Sequence, residues 1–262
     1  MRALHTAATG MAAQELNVQV ISNNIANMRT TGYKRQRAEF QDLLYEHVSR
    51  VGSQTSSQGN MLPAGIELGS GVKTVGTPRI MTQGGLSASG KDYDIAIRGE
   101  GFFKIALPDG RTAYTRDGSF ELDAQGRLVT AAGNLVQPNI TIPQNATSVN
   151  INGQGVVQVT VPGTTVPTQV GQLELSIFIN KAGLQGMGDN LYLETPASGT
   201  PQNGTPATDG FGNVMQGNLE QANVEAVSEI SDLIAAQRAY EMNAKVITAA
   251  DQMLSTTSNM MR

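Results

Sequence analysis

The sequence predicts an α+β chain: two terminal helices of coiled-coil character bracketing a mostly antiparallel β domain. Three observations carry this reading. Apolar residues recur every seven positions at both ends of the chain. Every proline and most of the glycines lie in between. Within that middle part, short alternating runs are separated by glycine turns at near-even spacing.

Residues 1–31 read as the first helix. Leu4, Met11, Val18 and Ile25 form one row of seven-residue spacing, and Ala7, Gln14, Ile21 and Met28 form a second, offset by three. Together they make the a/d seam of helices that pack side by side. Gln14 interrupts the seam, and Gly10 weakens the helix by about 1 kcal/mol relative to alanine. Gly32 is placed to act as a left-handed C-cap.

Residues 222–261 read as a longer helix. Leu219, Ala226, Leu233, Tyr240, Ile247, Leu254 and Met261 keep the seven-residue row. Asn223 is the expected N-cap. Acidic residues come early (Glu225, Glu229, Asp232) and basic ones late (Arg238, Lys245, Arg262), which suits the helix dipole. Glu241 and Lys245 form a favourably oriented i,i+4 pair.

Between Asp94 and Val136 the pattern is a β-meander. Turn signals fall at Asp109-Gly110, Asp117-Gly118, Gln125-Gly126 and Ala132-Gly133. Strand-like runs lie between them: Phe103/Ile105/Leu107, Phe120/Leu122 and Leu128/Thr130. Leu173, Leu175, Ile177 and Ile179 alternate over seven residues. Residues 195–217, rich in Thr, Pro, Gly and Asn, read as a long loop returning to the second helix. Residues 50–65 form a polar excursion.

Composition narrows the function classes. The net charge of −4 argues against a nucleic-acid binder. The basic run Arg29, Lys34, Arg35, Arg37 is offset by Glu39, Asp42 and Glu46, and reads as a solvated face. With no cysteine, disulfide scaffolds, thiolate metal sites and thiol catalysis are excluded. No stretch approaches the ~18 apolar residues of a membrane-spanning helix, and the N-terminus lacks the apolar core of a secretory signal. Export, if it occurs, then needs another route.

Chemistry-bearing motifs are scarce. His5 and His47 have no companion at metal-ligand spacing. Gly99-Glu100-Gly101 lacks the third glycine of a dinucleotide fingerprint and reads as a turn or bulge. Asp92 and Asp94 have no second acid cluster or base to work with. The expectation is therefore no catalytic residue, no metal and no cofactor. The apolar stripes point instead to assembly. A two-helix pair of unequal length and small residues leaves apolar surface uncovered, and copies of the same chain can cover it through non-closing contacts. The expected assembly interface is Leu4, Met11, Val18, Ile21, Ile25 and Met28 on the first helix, with Leu233, Tyr240, Ile247 and Leu254 on the second. A periplasmic binding module would need a concave aromatic patch, and aromatics make up only 5 % of the chain.

Specific motifs sharpen this reading. Ser22-Asn23-Asn24-Ile25-Ala26-Asn27-Met28-Arg29-Thr30-Thr31-Gly32-Tyr33-Lys34 resembles the N-terminal motif of the bacterial flagellar basal-body rod and hook proteins. Gly217-Asn218-Leu219-Glu220-Gln221-Ala222-Asn223-Val224 and Gln237-Arg238-Ala239-Tyr240-Glu241-Met242-Asn243 resemble the C-terminal motifs of that family. Ile97-Arg98-Gly99-Glu100-Gly101-Phe102-Phe103 and Ala113-Tyr114-Thr115-Arg116-Asp117-Gly118-Ser119-Phe120 are similar to its β-domain signature. The motif positions singled out are Asn23, Asn24, Asn27, Gly32, Tyr33, Lys34, Asn223, Arg238, Tyr240 and Glu241. Residues 34–45 and the polar stretch 46–66 resemble the distal-rod members most, with proximal rod and hook-family subunits as the rival assignment.

The resemblance implies a layout and a role. Residues 1–33 and 218–262 would form an inner coiled-coil layer, 34–81 an extended connection, and 82–217 an outer β domain. Copies would build a helical homopolymer, the rod that crosses the periplasm and carries motor torque to the hook. Its partners would be proximal rod and hook subunits at the two ends, surrounding outer-membrane and peptidoglycan ring proteins, and the flagellar type III export apparatus. Neither nucleic acid nor membrane insertion is implied.

Overall fold

The computed structural model describes residues 2–49, 64–163 and 166–260. The polar excursion at 50–65 thus falls, but for its last two residues, outside the described residues. The chain divides into two compact units. One comprises residues 1–25, 36–78 and 226–262, and the other residues 26–35 and 79–225.

The first unit holds the terminal helices, α1 (Arg2–Ala26) and α2 (Ala226–Met260). Two contacts set their relation. Asn24 Nδ2 donates to Glu229 Oε2 at 3.1 Å, and Gly10 faces the Asn243 side chain. Fourteen residues separate these contacts on each helix, and numbers rise on one as they fall on the other, so the pair is antiparallel. The buried residues are mostly small: Ala7, Ala13, Val20, Ile21 and Asn24 on α1, with Glu229, Ala236 and Ala250 on α2. Small side chains permit close approach but remove little apolar area from water. Gly10 has a packing reason as well as a propensity cost, since a Cβ there would lie 2.9 Å from Asn243 Nδ2.

Both helices are shorter than their periodicity suggests. α1 stops at Ala26, and residues 27–33 turn, with Thr30 N donating to Asn27 O at 3.0 Å. Gly32 is left-handed, φ +65°, yet it does not cap α1: its N–H donates to the Glu220 carbonyl at 2.8 Å. Asn223 is not an N-cap either, because α2 begins three residues later. Met28 and Leu219, both on the seven-residue rows, lie outside the helices, Leu219 in the strand Asn218–Glu220. The same unit carries two antiparallel ribbons, Glu39–Asp42 with Val72–Gly76 and Tyr45–Ser49 with Ile66–Gly69. Leu44, Tyr45, Val48 and Ile66 are exposed along the second.

The second unit is built on a nine-stranded sheet. Its central strand, Phe102–Ala106, pairs antiparallel with Thr112–Thr115 and with Leu135–Gln137, and at its start with Leu175–Ile177. Leu128–Thr130 and Phe120–Leu122 extend the sheet beyond Leu135–Gln137 as a three-stranded meander, but the expected run of hairpins breaks at Asp117-Gly118, where Thr112–Thr115 pairs with Leu191–Leu193 instead of Phe120–Leu122. Successive side chains of a strand point to opposite faces, and here both faces are covered. Phe103 and Ile105 enter the main core with Ile95, Leu128, Val136 and Leu175, while Phe102 packs with Tyr114, Phe178, Leu184 and Tyr192. The rings on that second face meet edge to face, Tyr114 on Phe178 with centroids 4.8 Å apart. A three-stranded sheet, Ser148–Ile151, Val156–Thr160 and Thr168–Gln172, adds Val157 and Val159 to the main core.

Two readings of this region change. Residues 195–217 are not simply a loop: Gln202–Gly204 pairs with Leu175–Ile177, and Asn213–Gln216 with Ile95–Arg98. Val214 is the only large apolar residue that the latter strand sends into the core, and backbone bonds to a core strand supply the rest. The alternation from Leu173 to Ile179 holds only in part. Leu173 and Leu175 are buried, the strand ends at Ile177, and Ile179 is 84 % exposed.

Gly110, Gly126 and Gly133 take positive φ at their expected turns. Gly118 is required for a different reason: a Cβ there would lie 1.6 Å from the Ile95 carbonyl oxygen. Gly118→Ala must therefore push apart two backbone segments of the core. It is expected to cost at least about 1–3 kcal/mol, read as a lowered midpoint in thermal unfolding.

Candidate functional site

Five stretches of the chain meet at one buried carboxylate in the second unit. Glu220, at the end of the strand Asn218–Glu220, is fully enclosed, as is Lys34, and Arg116 is 5 % exposed. Lys34 Nζ donates to Glu220 Oε1 at 2.5 Å and to the Thr82 carbonyl at 2.8 Å. Arg116 Nε donates to Glu220 Oε2 at 2.9 Å, and its Nη1 to the carbonyls of Gly99 and Gly101 at 2.8 and 2.7 Å. Gly84 N–H completes the carboxylate at 2.9 Å. The basic run is thus not wholly a solvated face. Lys34 turns inward because a carboxylate and a carbonyl take two of its three donors. Burial holds the Lys34 amine below the usual lysine range, and the Glu220 charge opposes that shift.

Side-chain and backbone amides of Asn223, Arg35 and Asn190 tie the neighbouring chain together around the knot. Asn223 Oδ1 accepts from Arg35 N–H at 2.8 Å, and its Nδ2 donates to the carbonyls of Ile80 and Thr82 at 2.7 and 3.1 Å. Tyr33 O accepts from Asn223 N–H at 3.4 Å. Asn190 Nδ2 reaches the Thr31 carbonyl at 3.0 Å. The motif positions Gly32, Tyr33, Lys34 and Asn223 are therefore brought together, with the chain just after α1 and the chain just before α2 held side by side. Sequence reasoning missed Glu220 and Arg116 as members of this knot, although both lie inside the motifs quoted above.

The other motif positions fall in two groups. Asn24 is buried in the helix pair, where its side chain also bonds both backbone groups of Gln36, each at 2.9 Å. Asn23 is exposed on α1, and Asn27 stands in the turn that follows it. Arg238, Tyr240 and Glu241 are exposed on α2. Tyr240 and Glu241 line a cleft of about 480 Å³ with Gln237 and with Glu15, Val18 and Gln19 of α1.

The positions expected at an assembly interface are also divided. Ile21 is buried, and Leu4, Met11, Val18, Ile25, Leu233 and Ile247 are half-buried. Met28, Tyr240 and Leu254 are exposed. Met28 and Leu219 meet in a groove of about 420 Å³ beside Ser87, Ala88 and Ser89. Among the described residues no group of His, Cys, Asp or Glu could hold a metal ion, and no helix is long and apolar enough to cross a membrane.

Removing one partner of a buried ion pair strands the others in a dry site. Glu220→Ala leaves two buried cations and an unpaired N–H, so it is expected to cost about 3–5 kcal/mol in thermal or urea unfolding.

Comparison with known proteins places these motifs. The chain matches the family description "Flagella basal body rod protein" over residues 4–34, "Flagellar hook protein FlgE/F/G D1 domain" over 96–159 and "Flagellar basal body rod FlgEFG protein C-terminal" over 215–260. It is 56 % identical to the flagellar basal-body rod protein FlgG of Caulobacter vibrioides, over 99 % of both chains. It is 48 % identical to the protein of the same name from Buchnera aphidicola subsp. Acyrthosiphon pisum, over 96 % of both chains. The corresponding figure for Bacillus subtilis is 35 % over the full length of both. With both terminal motifs, the β-domain signature and full-length relatives in agreement, the chain belongs to the flagellar basal-body rod protein family.

Proposed function

We propose that the chain is a structural subunit that polymerises into the distal rod of the bacterial flagellum, the driveshaft that crosses the periplasm and transmits motor torque to the hook. The observation that carries this reading is the large apolar surface left bare on α2, where Val227, Ile230, Ile234, Met242, Val246 and Met253 are all exposed. Exposed apolar surface of this extent on a helix marks an interaction face.

α1 and α2 supply the helical layer expected of 1–33 and 218–262, residues 36–78 go with them, and the β domain expected of 82–217 extends over 79–225 with 26–35. The interface draws on the exposed Met28, Tyr240 and Leu254 and on the half-buried Leu4, Met11, Val18, Ile25, Leu233 and Ile247, while Ile21 is already closed within the helix pair. The rod subunits before it and the hook subunits after it are its axial neighbours, and the outer-membrane and peptidoglycan ring proteins surround it. The subunit leaves the cell through the flagellar type III apparatus. Its role is mechanical rather than catalytic.

The helix pair suits this route. Its buried residues are mostly small or polar, with Val20 and Ile21 the larger exceptions, and hold two isolated helices together weakly. The helices order fully when neighbouring copies bury their remaining faces, so folding of the ends is coupled to polymerisation. Circular dichroism of the dilute monomer should show less helix than the 25 residues of α1 and 35 of α2 would give, with the difference appearing on assembly. Full helix in the dilute monomer would refute the coupling. Electron microscopy tests the function itself: concentrated full-length protein should form straight rods, and a chain lacking residues 1–31 and 222–262 should form none. Rods from the trimmed chain would remove the terminal helices from the interface.

A further inference from the structure

α2 carries two heptad frames, one residue apart. The first includes Glu229, Leu233, Ala236, Asn243, Ile247 and Ala250, and it faces α1: Glu229 accepts from Asn24, Asn243 meets Gly10, and Ala236 and Ala250 are buried. The second runs through Ala239, Met242, Val246, Ala249 and Met253 at alternating spacings of three and four, passes Thr256 and ends on Met260. Frames one residue apart are turned roughly 100° about the helix axis, so a single partner helix cannot cover both. The second frame is bare, with its Met and Val side chains 47–81 % exposed.

Three further apolar residues, Val227, Ile230 and Ile234, are exposed at the opposite end of α2. By the same rotation they lie on the far side of the first frame, roughly 120–180° from its centre. Within α1, Arg2–Ala26, no large hydrophobic residue is exposed. Among the described residues of the two helices, the second frame therefore finds a matching apolar surface only on another α2. In the register of the helix pair, α1 begins level with Asp251. Residues 252–260 then run past it, exposed on every side, which leaves room for a neighbour.

We propose, building on the polymerisation reading above, that the C-terminal end of the second frame (Met253, Met260) in one copy packs on Val227, Ile230 and Ile234 of α2 in the next. The two surfaces are different, so the contact is heterologous, and because each copy is displaced along the helix axis from the last, the series runs on rather than closing into a ring. They lie about 26 residues apart on one helix, so successive copies are staggered by ~39 Å along the helix axis. Because the copies run head to tail, the negative end of one helix dipole sits near the positive end of the next. Pairing of the second frame with itself would instead close a dimer and leave the N-terminal patch uncovered.

The chain has no cysteine, so disulfide trapping has no background. The full chain carrying both Ile230→Cys and Met253→Cys is assembled into rods and oxidised, beside each single variant and the parent. A ladder of multimers from the double variant, with monomer only from either single variant, is the expected result. Dimers from Met253→Cys alone would show the frame paired with itself and overturn the contact. Rods from the double variant that yield no cross-link would overturn it as well. If the parent forms no rods, the polymerisation reading itself fails.

Discussion

The fold turns on the carboxylate of Glu220. It is shut away from water, and it is tolerated there because Lys34, Arg116 and the Gly84 amide together use both of its oxygens. A buried ion triad is a poor source of net stability, since desolving the charges costs about as much as their attraction returns. What it supplies is uniqueness. The partners come from positions 34, 84, 116 and 220, and only one arrangement of these segments leaves no charge or amide unpaired. The two arginine bonds to Gly99 and Gly101 extend the same demand to the turn that precedes the central strand. Any slippage of the chain at either side of the β domain would break several of these bonds at once.

The two units are held by different physics. The β unit has a continuous apolar core in which Ile95, Ile97, Phe103, Ile105 and Leu175 are fully buried, so it carries its own cohesion. The helix pair buries mainly alanines, Val20, Ile21, an asparagine and a glutamate, and α2 keeps Val227, Ile230, Ile234, Met242, Val246 and Met253 on the outside. In a solitary globular protein that distribution would be inverted. It suits a chain whose domain is finished within one copy and whose helices are finished by its neighbours.

Much of this was legible from residue order. The seven-residue rows mark both helices, and the Asp-Gly and Gln-Gly turns mark the meander, because both patterns are local. The misread features are non-local. Lys34 sits in a basic run that resembles a solvated face, and its partner is 186 residues away. Asn223 has the chemistry of an N-cap, but the backbone of Arg35, Ile80 and Thr82 competes for its side chain and wins. The strand Asn213–Gln216 offers one buried apolar residue, too few to show a period, and exists because the strand Ile95–Arg98 needs a partner. The second frame on α2 is masked by the first, since overlapping periods one residue apart read as a single broad stripe.

The hydrogen bond from Gly32 N–H to the Glu220 carbonyl has a broader consequence. It joins the stretch that follows α1 to the stretch that precedes α2 within the second unit, so the chain from Tyr33 to Leu219, the ribbons of the first unit included, returns to the point from which it set out. Insertions are best tolerated where both ends of the inserted segment are already close. The stretch between can therefore lengthen or shorten at its surface turns while this closing bond keeps its geometry.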